Sequence, residues 1–115
     1  MRKYSSATIC ALLAIMVTAP VQARDMEEML KKPIKDDVMS PMTVDELENC
    51  LQMKNNGYHL TVVNDGGSKR LGYMIDWWLS FVITLTPTND GTRITRQGQT
   101  IGRRSIQDCV PLAPS

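Results

Sequence analysis

Thr43-Val44-Asp45-Glu46-Leu47-Glu48-Asn49-Cys50-Leu51-Gln52-Met53-Lys54-Asn55-Asn56-Gly57-Tyr58-His59-Leu60-Thr61-Val62-Val63 decides the fold, because the spacing of its apolar residues changes halfway along. Val44, Leu47, Cys50 and Leu51 recur at helical spacing. Thr43 and Glu46 form a capping box, in which the hydroxyl accepts from the backbone N–H three residues on and the glutamate reaches back to the cap. Asn55-Asn56-Gly57 supplies a left-handed stop, which bounds a helix over Thr43 to Lys54. From Tyr58 the period is two: Tyr58, Leu60 and Val62 alternate with His59, Thr61 and Val63, as in a half-buried strand.

Downstream the alternation continues. Asn64-Asp65-Gly66-Gly67-Ser68 reads as a tight turn, and Leu71, Tyr73 and Ile75 lie on one side of a returning strand. The run from Arg70 to Thr86 is too long for one ordinary strand, so a turn is placed near Asp76 to Trp78. Beyond it, Leu79, Phe81, Ile83 and Leu85 are expected on one face and Trp78, Ser80, Val82, Thr84 and Thr86 on the other. Pro87-Thr88-Asn89-Asp90-Gly91 makes another turn before a more polar strand, Thr92 to Ile101. The expected fold class is α+β, with one N-terminal helix packed on a small antiparallel meander of about four strands, closed by one disulfide.

Upstream, Arg2 and Lys3 precede an almost unbroken apolar run, Ala7 to Val21, which ends at Val21-Gln22-Ala23, with small residues where a signal peptidase inspects the chain. Residues 1–23 therefore read as a secretory signal peptide, with the mature chain starting at Arg24 and Cys10 discarded; the alternative is an uncleaved N-terminal anchor. The apolar run is short for a membrane span, and none is expected in the mature chain. Residues 24–42 contain Pro33, Pro41 and many charges and read as a flexible charged leader, with a short helical turn where Met26, Met29 and Leu30 share a face. Residues 43–115 then form a single α+β domain.

Export implies an oxidising compartment, so Cys50 and Cys109 are expected to pair. Cys50 lies on the apolar stripe of its helix, which would be stapled to the C-terminal segment through its buried face. Charge divides along the chain. Arg24 to Cys50 carries four cations against eight acids, and Leu51 to Ser115 seven cations against four acids. A nearly neutral mature chain shows no general affinity for nucleic acid or anionic membrane.

Two groups of residues are candidates for binding. Adjacent residues of a strand point to opposite faces, so one of Trp77 and Trp78 should lie outside and offer an anchor for a protein partner or a glycan, unless both cover open ends of the core. Arg93, Arg96, Arg103 and Arg104 stand in a stretch without acids and suit an anionic partner, although bland edge-strand charge is the simpler explanation. Arg93 and Arg96 should face opposite ways. Met26, Met29, Met39 and Met42, in two Met-x-x-Met units, suggest a Cu(I) donor set, with His59 as a possible extra ligand.

The residues needed for acyl transfer or metal-assisted hydrolysis are missing. There is one histidine, and no Gly-x-Ser-x-Gly, His-Glu-x-x-His or phosphate-binding glycine loop. The sequence thus points to a non-catalytic periplasmic or secreted binding protein of inhibitor, immunity or envelope-accessory type. It would dock a protein partner in the cell envelope through an exposed sheet face or edge, with no cofactor implied. The alternative is a periplasmic metal or small-ligand carrier that uses the methionine-rich leader.

Overall fold

The computed structural model describes residues 21–55, 57–99 and 103–112, with side chains from residue 25 onward. The signal segment before Val21, with Cys10, lies outside the described residues. Helix α1 (Val21–Met29) is followed by strand β1 (Ile34–Ser40), helix α2 (Val44–Met53), strands β2 (His59–Asp65), β3 (Ser68–Ile75), β4 (Trp78–Thr88) and β5 (Gly91–Gly98), and the single turn α3 (Arg103–Ile106). The strands form one antiparallel sheet in the order β1-β5-β4-β3-β2. The product is a small α+β domain with a disulfide.

Helix α2 forms as its sequence dictates. Thr43 Oγ1 accepts from the Glu46 N–H, and Glu46 Oε1 accepts from the Thr43 N–H, closing the capping box. The helix ends at the Lys54 cap, and Gly57, with a φ of +91°, turns the chain towards β2 three residues later. Leu47 and Leu51 are fully buried against Leu71, Tyr73, Phe81, Ile83, Leu85 and Ile94. Ile106, Cys109 and Val110 complete this core from the C-terminal side. Cys50 is bonded to Cys109 with Cα atoms 5.9 Å apart, so the staple runs from the buried side of α2, as its position on the apolar stripe required. Tyr73 stacks on Phe81 at 4.3 Å, and its hydroxyl has no hydrogen-bond partner among the described residues. Burial pushes that phenol up from its ordinary value.

Two expectations of architecture are corrected. The sheet has five strands rather than four, and the capped helix is the third element rather than the first. Both corrections have one cause: residues 24–42, read as a leader outside the domain, supply most of α1, which begins at Val21 within the segment read as signal peptide, and the edge strand β1. The acids that marked this segment as linker are what hold it. Asp36 lies directly across from Arg96, and Asp37 bonds Arg93 through both carboxylate oxygens at 2.9 and 2.6 Å. Val38 adds an apolar contact to the core. The last strand also ends at Gly98 rather than Ile101.

The opposite face of the sheet is covered in part by α1. Met26 and Met29 are buried there against Met74, Leu79 and Val82. Leu79 was expected beside Phe81 but faces the other way, because the register shifts between Tyr73 and Met74 and leaves Ser80 as an extra residue. Gly72 and Gly98 form the seat of the helix. A Cβ on Gly72 would stand 2.9 Å from Met26 Cε, and one on Gly98 would stand 2.7 Å from the Ser80 carbonyl oxygen and 2.9 Å from Met29 Sδ. Gly98 also has a φ of +117°. Gly98→Ala therefore meets unyielding backbone and a disfavoured conformation, and should cost about 2 kcal/mol of unfolding free energy in urea titration. Gly72→Ala meets the ends of flexible side chains and should cost less.

Candidate functional site

Strands β3 and β4 are joined by Asp76 and Trp77 alone, with Ile75 paired to Trp78 across the turn. The turn falls where the sequence placed it. Asp76 adopts a φ of +54°, the only non-glycine residue among those described to do so, and an aspartate tolerates that conformation better than most. So tight a connection throws the next side chain outward: Trp77 is 84% exposed and Trp78 38%. Strand alternation, which would bury one tryptophan and expose its neighbour, does not apply here, since Trp77 belongs to the turn and neither ring is buried.

The arginines lie elsewhere. Arg96 points into the main core and is 2% exposed, with Nε donating to Asp36 Oδ2 at 2.5 Å and Nη1 to the Gln99 carbonyl oxygen at 2.6 Å. Arg103 reaches the other Asp36 oxygen at 3.4 Å from α3. Arg93 stands on the opposite face of β5, as expected, paired with Asp37. Arg104 is exposed on α3. The six candidate residues therefore form no common surface: Arg93 is aligned with Thr86, eight residues along β4 from Trp78, or about 25 Å at strand spacing.

The partners of these arginines come from β1, 56 and 60 positions earlier in the chain. Asp36 and Asp37 are adjacent, so in a strand they face opposite ways, as Arg93 and Arg96 do. The Arg93 guanidinium holds the Asp37 carboxyl below its ordinary range, and Asp37 raises Arg93 in turn. Glu46 is likewise lowered, first by the Thr43 backbone N–H and then by its hydroxyl. Both carboxylates have depressed values in the folded chain, so their support is complete above the ordinary carboxylate range and lost as pH falls through the lowered values. The melting temperature should therefore drop as pH falls below about 4, and less steeply in Asp37→Asn.

The methionines do not assemble as a donor set. Met26 and Met29 are buried beneath α1, Met42 packs against the core on the other face of the sheet, and Met39 is 52% exposed on β1. His59 is exposed on β2. Among the described residues, no group of three His, Cys, Asp or Glu side chains is placed to hold a metal ion.

A cleft of about 540 Å³ opens at the far end of the sheet, between Pro41, Asp45, Lys69, Pro87 and Asp90. Its lysine is engaged by Glu48 and Asp45, with the Glu48 bond the main reason its ammonium is held above the ordinary value. No described helix is long and apolar enough to cross a membrane. No protein-family model, curated protein or solved structure matches the chain.

Proposed function

We propose that the protein is an exported, non-catalytic binding protein that docks a protein partner in the cell envelope through the β3–β4 hairpin tip. Trp77 is the anchor and Trp78 the flank. The observation that supports this reading is the exposure of Trp77, 84% on a two-residue turn. A large ring held in water by a short, defined turn loses little conformational freedom on binding and gains much from burial. Truncating an anchor of this kind typically weakens a complex by 2 kcal/mol or more. Arg93, Arg96 and Arg103 are not part of the proposed surface, since they bond acids within the chain.

The test is crosslinking of the exported protein in the envelope fraction, followed by titration of the recovered partner. Trp77→Ala should melt as the parent does, because the ring touches little of the fold, and should bind about 30-fold more weakly. Parental affinity in Trp77→Ala removes the reading.

A further inference from the structure

The two edges of the sheet are built differently. β1 carries Lys35, Asp36 and Asp37 and a register irregularity between Ile34 and Asp36, features that discourage a further strand. β2 carries a single acid, at its last position, and no register irregularity. His59-Leu60-Thr61-Val62-Val63-Asn64-Asp65 contains no lysine, arginine or proline, keeps an unbroken register against β3, and packs extensively with β3 alone among the described elements. Leu60 to Val63 are only half-buried, although three of the four are apolar.

The backbone of β2 is oriented by its turn. A two-residue loop at Gly66-Gly67 closes on a hydrogen-bonded pair, Asp65 with Ser68, and bonded pairs then alternate along the ladder. His59, Thr61, Val63 and Asp65 therefore bond β3. Leu60, Val62 and Asn64 direct their N–H and C=O groups away from the sheet.

We propose that this edge pairs with the same edge of a second copy of the chain, joining two five-stranded sheets into one of ten strands. A two-fold axis normal to the sheet keeps each residue on its own face, so opposing residues must have numbers of the same parity. Centring the axis on Val62 engages all seven residues. It sets Val62 against Val62 and Leu60 against Asn64 as bonded pairs, and Thr61 against Val63 between them. It also sets His59 opposite Asp65 at both ends, a ring N–H donor facing a carboxylate twice over. Asp65 accepts from Arg70 through Oδ2, which fixes the carboxylate on the same face as His59. This self-complementarity favours a second copy over a foreign strand.

Sedimentation of the protein exported from the full-length chain, between about 1 and 500 µM, should show a monomer–dimer equilibrium. Asn64→Pro deletes an outward N–H without touching the β3 ladder, and should yield a monomer with unchanged circular dichroism and melting temperature. His59→Asp should weaken the dimer about tenfold by opposing two carboxylates, and adding Asp65→His should restore it. Trp77→Ala should dimerise normally, which separates this interface from the hairpin tip. A parent chain that remains monomeric throughout, or a folded Asn64→Pro chain that still dimerises, overturns the proposal.

Discussion

Replacing Cys50 and Cys109 together by alanine is expected to lower the unfolding free energy by about 4 kcal/mol, the largest loss available from removing one covalent feature. The residues are 59 positions apart, so the bond removes much of the freedom of the unfolded chain. In a domain this small, that is a large part of the margin between folded and unfolded. The native contacts around the bond do not depend on it covalently, so Leu47, Leu51 and Val110, all buried in the parent, should stay buried in the variant. Urea titration of the variant and parent should thus show a shifted midpoint, with the same helical circular dichroism before the transition. A loss below about 1 kcal/mol would mean that packing alone fixes α2 and that the unfolded chain is already restricted.

Asp36→Ala should cost about 3 kcal/mol or more. The reason lies less in the attraction lost than in the charge left behind. Arg96 is 2% exposed, and without Asp36 its guanidinium keeps only the Gln99 carbonyl oxygen among its described partners. Arg103 loses the same carboxylate. Replacing both members of the buried pair, Asp36→Leu with Arg96→Met, should recover most of the loss, because it removes the stranded charge as well as its partner. A double-mutant cycle by urea titration measures this directly; a double variant no more stable than Asp36→Ala would refute it. The neighbouring pair, Arg93 with Asp37, stands in solvent and should matter far less at neutral pH.

Elements whose cause is local could be read from the sequence. The capping box, the change of period after Gly57 and the tight turns fixed α2 and strands β2 to β5, because each depends on residues within a few positions. β1 could not be read this way. Asp36 and Asp37 argue against a strand until the arginines roughly 60 residues later stand opposite them, and no local pattern reveals that pairing. The bulge at Ser80 is of the same kind: it brings Leu79 onto the face where Met26 packs, a contact more than 50 positions long. The turn near Asp76 was legible because Arg70 to Thr86 is too long for one strand, whereas an outward tryptophan was expected from strand alternation and its exposure follows instead from a turn two residues long. The ion pairs of Arg93 and Arg96 lay beyond local reading because their acids are 56 and 60 positions away.

The order of strands in space also sets an order in time. β2 to β5 form a meander whose neighbours meet soon after synthesis, whereas β1, the first strand made, must wait for β5, the last. Its closure spans more than half the chain, so sheet completion is the slow, entropically demanding step. The N-terminal flap of α1 and β1 should accordingly be the last part to dock and the first to exchange its amide protons, opening as a unit while the meander beneath stays shut.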